Sequence, residues 1–365
     1  MYHMKFAENL EANLFRLEKN LCNRTYKPGR SIAFIVQKPK IREIFAADFA
    51  DRVVHHLLYN YLAPIYERQF IHDSWACRKD KGTHRAMLRL KNFAAQLESS
   101  CHSERSEESN PIERSLDFAR DDNFGGQTRE RERERERERA PAPFFLKMDI
   151  KSFFTSIDQQ VLYDLICKEV KNKEILYLTK TIIFHDCAHD IPPKIQSPPS
   201  LFDKLPKDKS LFTVSRGKGL PIGNLTSQFF ANVYMNELDQ FAKHQLKAKY
   251  YLRYVDDFLV LSLDRQYLEF CRNELTNFAM DKLKLKVHPD KQFIKAVSSG
   301  IDFVGYIVRP EYVLVRKRIV ADCRFKLGLV KSDSKKHKEI VNSYRAHFMW
   351  ANTRNLQSAL FNTPD

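Results

Sequence analysis

The apolar positions of the chain follow two periods, and the change from one period to the other marks the predicted elements. Residues 31–45 carry β-branched and aromatic side chains interrupted by a turn at 38–40, which predicts a β-hairpin. From about Asp48 apolar residues recur three and four positions apart, as in a helix. The other predictions are strands at 144–150, 251–261 and 301–307, helices beginning near 158, 225 and 266, a Pro- and Lys-rich loop at 185–215, and helices in the tail 311–365.

One stretch follows neither period. Residues 98–140 are rich in Ser, Glu, Arg and Asp and end in a strict Arg–Glu alternation from Arg129 to Arg139. In a helix this alternation places opposite charges three apart and like charges four apart, so their effects nearly cancel. With almost no apolar face the segment cannot bury itself, and we expect a disordered segment or a solvated helix. We interpret it as an insertion within one domain.

The charge of the chain indicates a polyanionic partner. Its 365 residues carry a formal net charge of +15, and the pI is near 9.4. Residues 98–140 hold 13 acids and 9 arginines, so the rest of the chain carries +19. No apolar run has the length of a membrane span, the first residues do not resemble a signal peptide, and the seven cysteines are scattered without a CxxC pair. We therefore expect a cytoplasmic protein with reduced thiols and no membrane contact.

Two adjacent acids interrupt the apolar run 251–261. The run predicts a tight hairpin with Asp256 and Asp257 at its tip. Aspartate is a poor strand former, so two of them at this place cost stability. Mg²⁺ prefers carboxylate oxygens, which predicts a metal site, and an ordinary acidic turn is the alternative for the pair taken alone.

A third acid ends an earlier predicted strand. Asp149 follows the run that starts at Phe144, and the order of strands and helices is that of a split βαβ fold. In that fold Asp149 would lie beside Asp256 and Asp257, and three such carboxylates repel one another without cations. Two Mg²⁺ ions, with Mn²⁺ as a substitute, would neutralise them and would serve an in-line phosphoryl transfer.

The motifs and their order resemble those of reverse transcriptases. Asp149-Ile-Lys-Ser-Phe-Phe resembles the first catalytic motif of that family, and Tyr254-Val-Asp-Asp257 resembles the second. Leu220-Pro-Ile-Gly223 and the Ser227-Gln228 that follows resemble the nucleotide-pocket motif, and Phe303-Val-Gly-Tyr306 resembles the primer-grip hairpin. The resemblance runs from about residue 15 to the C-terminus without 98–140.

The resemblance implies an α+β, right-hand polymerase fold with fingers, a split βαβ palm and a helical thumb. The corresponding ranges are 1–97 for the N-terminal extension and fingers, 98–140 for the insertion, 141–310 for the palm with the remaining fingers elements, and 311–365 for the thumb. It also implies RNA-directed DNA synthesis from dNTPs on an RNA template with a DNA or RNA primer. The tail, with a net charge of +6, would bind the template–primer backbone.

The family pattern also implies roles for single residues. Asp149 and Asp256 would ligate both metal ions, the Ile150 carbonyl would be a further ligand, and Asp257 would support the site. Lys291 lies where the family has a lysine near the triphosphate, and it would donate a proton to the pyrophosphate.

The nucleotide pocket would draw on several segments. Arg42 would clamp the triphosphate with its planar fork, whereas Lys40 is a weaker candidate because a turn lysine is usually solvated. Phe154 would exclude a 2′-hydroxyl by a clash, with a core position beside Phe153 as the alternative. The other pocket positions are Ile222, Gly223 and Gln228, and the primer-grip positions are Phe303, Gly305 and Tyr306.

A narrower similarity is to the reverse transcriptases of diversity-generating retroelements. Most relatives resembling group II intron enzymes have Gln before the pocket glycine and Ser-Pro at the motif's end, whereas this chain has Ile222 and Ser227-Gln228. Segments 41–44, 51–56 and 72–79 add to this similarity. It implies copying of a template-repeat RNA into cDNA with errors opposite adenines, helped by a small, basic, oligomeric accessory protein. An apolar packing role for Ile222 is the alternative.

Three other classes compete with this interpretation. A splicing enzyme of the group II intron type would need more sequence than the roughly 55 residues after Pro310. A retron-type enzyme would carry signature motifs that this sequence does not have. An RNA-binding protein on a decayed polymerase fold is disfavoured by the joint presence of Asp149, Asp256 and Asp257, although the insertion keeps it open.

Overall fold

The computed structural model describes residues 2–38, 40–108, 142–330 and 333–361 as a mixed α/β protein. The α-helices of the described ranges are α1 Tyr2–Glu8, α2 Leu10–Cys22, α3 Phe49–Tyr66, α4 Thr83–Glu108, α5 Phe153–Ser156, α6 Gln159–Glu169, α7 Lys173–Ile183, α8 Pro199–Phe202, α9 Leu225–Gln240, α10 Arg265–Leu283, α11 Lys317–Leu329, α12 Ser334–Phe348 and α13 Arg354–Phe361. The strands are β1 Ile32–Val36, β2 Arg42–Ala46, β3 Phe144–Asp149, β4 Lys194–Ile195, β5 Tyr250–Tyr254, β6 Asp257–Ser262, β7 Phe293–Ala296, β8 Ile301–Phe303, β9 Tyr306–Val308 and β10 Val313–Val315.

The central sheet has the strand order β5-β6-β3-β7, and all its pairs are antiparallel. Both of its faces are covered. Leu146 and Met148 point into a core shared with α3, α9 and α10, whereas Phe145 points into a second core shared with α4 and β8–β10. Burial on both sides explains why β5 and β6 are almost continuously apolar in sequence. The predicted palm strands are confirmed.

A second sheet carries the predicted fingers hairpin. β1 pairs with β2 from Ile32↔Ala46 to Val36↔Arg42, which confirms the hairpin predicted at 31–45. The two-residue strand β4 adds to β1 in parallel, within the range 185–215 that was predicted as loop. α3 follows β2 directly, and its start is fixed because the Asp48 carboxylate accepts a hydrogen bond of 3.1 Å from the Ala50 amide.

A third sheet, β8-β9-β10, joins the palm to the C-terminal helices. The prediction of helices throughout 311–365 is wrong at its start, because Val313–Val315 pairs with Tyr306–Val308. The range 301–307, predicted as one strand of a hairpin, contains two strands with a turn at Val304 and Gly305. The boundary drawn at 310 and 311 therefore falls inside a sheet.

α4 continues into the range predicted as an insertion. It reaches Glu108, and Leu97 and Cys101 on it are buried, so the composition change at 98 does not end the ordered helix. The part of the prediction that concerns 109–140 lies outside the described residues. Within the described ranges, no helix combines the length and the apolar character that crossing a bilayer requires.

Candidate active site

The turn between β5 and β6 positions the two adjacent acids. Tyr254 pairs with Asp257, which leaves Val255 and Asp256 as a two-residue connection. Val255 has a φ of 58°, a left-handed conformation that a β-branched residue adopts only under strain. The Arg253 guanidinium offsets this strain by donating a hydrogen bond of 2.9 Å from Nη1 to the Val255 carbonyl. The turn therefore depends on a side chain from the strand before it.

Arg253 itself is held by a buried network. Its Nε and Nη2 donate to Asp239 on α9 at 2.8 and 2.7 Å, and the Tyr251 hydroxyl donates to the same carboxylate at 2.7 Å. The Ser74 hydroxyl accepts a further bond of 3.0 Å from Nη2. Because Arg253 and Asp239 are fully buried, this ion pair is shielded from solvent and salt.

The segment 72–79 supports the same strand from its edge. The Arg253 amide donates to the Asp73 carbonyl, and the Trp75 amide donates to the Arg253 carbonyl, both at 2.9 Å. One of the segments that we single out in the sequence is thus an extra edge of the palm sheet beside the catalytic turn.

Three carboxylates meet at the end of β3. Asp149 lies opposite Asp257 in the β3–β6 register, and the Ile150 amide donates to the Asp256 carbonyl at 3.3 Å. Burial, with the Asp149 carboxylate as the next cause, raises the pKa of Asp256 to about 7. The sequence-based expectation that Asp149 faces Asp256 and Asp257 agrees with this arrangement.

Two lysines partly neutralise these acids. Lys291 forms an ion pair with Asp149, and Lys147 Nζ lies 3.0 Å from Asp257 Oδ2. Burial raises the pKa of Asp257, and the Lys147 ammonium opposes that rise. Lys291 therefore lies beside the acids, and its predicted position near the triphosphate stays a prediction.

The donor set fits a divalent cation that shares its ligands with a substrate. Among the described residues, no group of three or more His, Cys, Asp or Glu side chains has an arrangement that could hold a metal ion. Mg²⁺ commonly binds through one or two carboxylates and completes its shell with water and substrate phosphates. Asp257 Oδ1 is buried and has no hydrogen-bond partner within the described ranges. Burial, followed by the charge of Asp149, raises the pKa of Asp256, and a bound cation would oppose that rise.

The fingers hairpin brings further positive charge to these acids. Burial and the Lys291 ammonium lower the pKa of Lys40, whereas Asp149 and Asp256 act in the opposite sense. Lys40 is therefore close to the carboxylates. Arg42 is exposed at the start of β2, and its charge also acts on Lys40.

The predicted nucleotide-pocket motif connects the fingers to the palm. The Phe45 amide donates to the Ile222 carbonyl and the Leu220 amide donates to the Phe154 carbonyl, both at 2.8 Å. Phe154 is half-buried, with its ring edge-to-face on Phe153. A Cβ on Gly223 would lie 2.8 Å from the Phe45 carbonyl oxygen, so only glycine permits this approach.

The geometry is that of a polymerase palm, and comparison of sequences decides the family. The model of the family "Reverse transcriptase (RNA-dependent DNA polymerase)" matches residues 27–308. The chain belongs to the reverse transcriptase family. Its architecture is accordingly the right-hand polymerase fold, with a palm built on β3 and β5–β7.

The relatives of this reverse transcriptase are distant. The putative COX1/OXI3 intron 2 protein of Saccharomyces cerevisiae is 23% identical over 203 residues, which are 45% of this chain and 24% of that protein. Telomerase from Candida albicans in complex with a telomeric RNA fragment is 12% identical at a TM-score of 0.49, over 88% of this chain and 55% of that one. Apo telomerase from Candida tropicalis is 11% identical at 0.48, over 91% and 56%. The chain spans about a quarter of the curated relative and about half of these structures.

The side chains of two residues predicted to form the primer grip of this reverse transcriptase are internal. Phe303 and Tyr306 are fully buried, and the Tyr306 hydroxyl donates to the His347 carbonyl at 3.0 Å. Gly305 has a φ of 101°, and its carbonyl accepts a hydrogen bond of 3.1 Å from the Arg316 amide. These buried side chains therefore support the hairpin from inside, and the predicted primer-grip role stays a prediction.

Two other predicted positions have less definite surroundings. Ile222 is half-buried, so its side chain is neither fully packed in the core nor fully exposed to solvent. Gln228 lies exposed in the first turn of α9. The geometry leaves both as pocket candidates without assigning them a role.

The sequence reasoning missed Arg253, Asp239 and Lys147. Arg253 and Lys147 each interrupt an apolar strand with a positive charge, and a charge at such a position is rarely buried without a partner. That signal was available in the sequence. The partners were not, because Asp239 and Asp257 come from other elements.

Proposed function

We propose that this reverse transcriptase copies an RNA template into DNA at Asp149, Asp256 and Asp257. The observation that carries the proposal is the β3–β6 register, which sets Asp149 opposite Asp257 next to the turn that holds Asp256. Three acidic residues lie at the ends of the neighbouring strands β3 and β6, burial raises the pKa values of two of them, and a bound cation would stabilise their charged forms beyond what Lys147 and Lys291 supply.

Asp149 and Asp256 are the residues that would hold Mg²⁺, or Mn²⁺ in its place, with the Ile150 carbonyl as a further ligand and Asp257 as the supporting acid. When bound, the ions lower the pKa of the attacking hydroxyl and neutralise the phosphates. Lys291, which pairs with Asp149, would give a proton to the leaving pyrophosphate.

The fingers residues would bind the incoming dNTP. Lys40 lies near Asp149 and Asp256, Arg42 lies near Lys40, and both would offer positive charge to the triphosphate. Phe154 would exclude a 2′-hydroxyl, because its half-buried ring lies on the segment that follows Asp149.

A primer-extension assay on an RNA template with dNTPs and Mg²⁺ tests the proposal. Asp256→Asn should reduce extension by at least about a hundredfold, because a neutral amide is a poor Mg²⁺ ligand. Asp264→Asn, at the N-cap of α10 where asparagine also caps well, is the matched control and should extend like wild type. Equal extension by Asp256→Asn and wild type would overturn the assignment of the turn.

A narrower proposal concerns the subtype. Ile222 and Ser227-Gln228 in the pocket motif support a diversity-generating retroelement enzyme that miscopies template adenines, with a small basic accessory protein, in the cytoplasm. Sequencing of products from wild type and Ile222→Gln tests this. We expect fewer errors opposite adenine in the variant, and unchanged error rates would remove Ile222 from the account.

A group II intron-type reverse transcriptase is the second candidate, favoured by the similarity to a yeast intron protein. It predicts low error rates opposite adenine for the wild type as well. The same sequencing experiment therefore separates the two subtypes.

A further inference from the structure

One face of the palm sheet carries charged side chains beside its buried ones. Lys147 and Asp149 on β3 alternate with buried residues and share a face with Phe145, and Asp257 lies opposite Asp149 on β6. The second core covers that face, including β8 and β9 of the hairpin 301–308. Lys147 is thus placed between the catalytic acids and this hairpin.

The contacts of Lys147 come from both sides. Its Nζ lies 3.0 Å from Asp257 Oδ2 and donates to the Asp302 carbonyl at 2.7 Å. The same ammonium is 5.9 Å from the centre of the Phe303 ring. The side chain is only 13% exposed, so it lacks the solvated freedom of a surface lysine.

Asp257 depends on this lysine for its orientation. Its Oδ1 has no hydrogen-bond partner in the part of the chain that the structure describes, which leaves the Oδ2 contact with Lys147 to set the plane of the carboxylate. An acid next to a reacting centre acts only from a defined position, and small displacements there have large kinetic effects.

The connection continues towards the thumb. The Arg316 guanidinium pairs with the Asp302 carboxylate, and the Arg316 amide donates to the Gly305 carbonyl at 3.1 Å. Arg316 is the residue before α11. Asp257, Lys147, Asp302 and Arg316 therefore form a continuous chain of contacts from the catalytic turn to the first thumb helix.

We propose that Lys147 is a positioning residue that orients Asp257 and joins it to the 301–308 hairpin, an inference that rests on the proposed polymerase activity. Through this link, the position of the hairpin, which would place the primer end, is coupled to the position of the Asp257 carboxylate. Lys147 touches neither substrate nor metal in this account, and its effect is transmitted through Asp257 and the Asp302 carbonyl.

The test compares three variants of the full chain. Lys147→Met keeps the length of the side chain and removes the charge, and Lys147→Arg restores a cation at the same place. Lys295→Met removes a lysine from β7 at the position opposite Phe145, where its ammonium contacts the Phe293 ring, so it serves as the matched control.

Two measurements apply to each variant. Single-turnover extension, normalised to the fraction of enzyme that binds primer–template, should fall by about tenfold or more in Lys147→Met and should largely recover in Lys147→Arg. Hydrogen–deuterium exchange, followed without substrate or metal, should be faster for the 301–308 amides in Lys147→Met only. A merely structural effect on folding would not be rescued by arginine or confined to that hairpin.

The inference is overturned if Lys147→Met matches Lys295→Met in both measurements, or if Lys147→Arg is as impaired as Lys147→Met. If wild type does not extend primers, the proposed function fails, and the exchange measurement alone decides whether Lys147 joins the hairpin to the turn.

Discussion

Arg253 is the residue on which the shape of the catalytic turn depends. Its guanidinium pairs with Asp239 inside the core and also binds the carbonyl of Val255, which is the strained residue before Asp256. One buried charge therefore connects α9, the segment at Ser74 and the turn. A buried pair of this kind contributes little net stability over an apolar replacement of both partners, but loss of one partner leaves the other charge unpaired.

We expect Arg253→Met to lower the free energy of unfolding by about 3–5 kcal/mol, because Asp239 would remain buried without a counter-charge. Denaturant unfolding followed by circular dichroism measures this. Arg265→Met, which removes an exposed pair with Glu269, is the control and should cost at most about 0.5 kcal/mol. Similar losses for the two variants would contradict the role given to the network.

Gly223 offers a second test at the same scale. Gly223→Ala and Gly82→Ala should both lower the free energy of unfolding, and the loss should be about 1–3 kcal/mol larger for Gly223→Ala. Primer extension should also fall in Gly223→Ala. Both glycines have a φ of +127°, but a Cβ at Gly82 meets nothing within 4 Å, whereas one at Gly223 meets the Phe45 carbonyl. Thermal unfolding of the two variants isolates that contact, and equal melting temperatures would show that it is not limiting.

Among the elements, α4 corrects the boundary of the predicted insertion. Composition alone marked 98, because the apolar period is lost there, but the helix extends to Glu108. Cys101 is buried against the rest of the protein, which the local sequence could not indicate. Short strands were missed for the same reason, since β4 and β10 exist only through pairing with β1 and β9.

We expect replacement of residues 109–140 by a flexible Gly-Ser linker to preserve soluble expression and primer extension, because that stretch has too few apolar residues to form a core. Replacement of 98–140 should instead lower the melting temperature, since it removes the last turns of α4 with Cys101. Equal melting temperatures of the two replacement variants would show that the end of α4 contributes no stability.

On the scale of the whole molecule, positive charge surrounds a small acidic centre. The chain carries +15 overall, and Lys40, Lys147 and Lys291 stand close to the catalytic acids. Hydrogen bonds from Lys326 and Tyr344 are the main causes of the lowered pKa of Asp322 on α11, and the Lys38 charge adds to them, so the turn between β1 and β2 lies near α11. A nucleic acid backbone is the polyanion that such a surface would bind.

Binding of a primer–template duplex should therefore depend steeply on salt. We expect the affinity to fall by about a thousandfold or more between roughly 50 and 200 mM monovalent salt, as for proteins that contact six or more phosphates. Fluorescence anisotropy titrations measure the slope, and two duplexes of unrelated sequence should share it. A slope near zero, or one that changes with sequence, would contradict backbone recognition.

The family and the main strands and hairpins of the fold were predictable from the sequence alone. The period of two at 31–45 and 251–261 determines the hairpins, because it depends on residue type and local spacing. The acids Asp149, Asp256 and Asp257 and the net charge predict a cation site and a polyanionic partner. Local order of this kind survives folding unchanged, which is why the predicted hairpins and palm strands were confirmed.

Pairings between distant elements were decided only by the tertiary structure. The packing of α9 brings Asp239 to Arg253, and the register of β3 and β6 brings Asp257 to Lys147. No local sequence pattern encodes either ion pair. The same packing buried Phe303 and Tyr306, so residues that resemble a primer-binding motif act from within the core. Periodicity indicates which face a side chain takes, and only the assembled fold determines what it meets there.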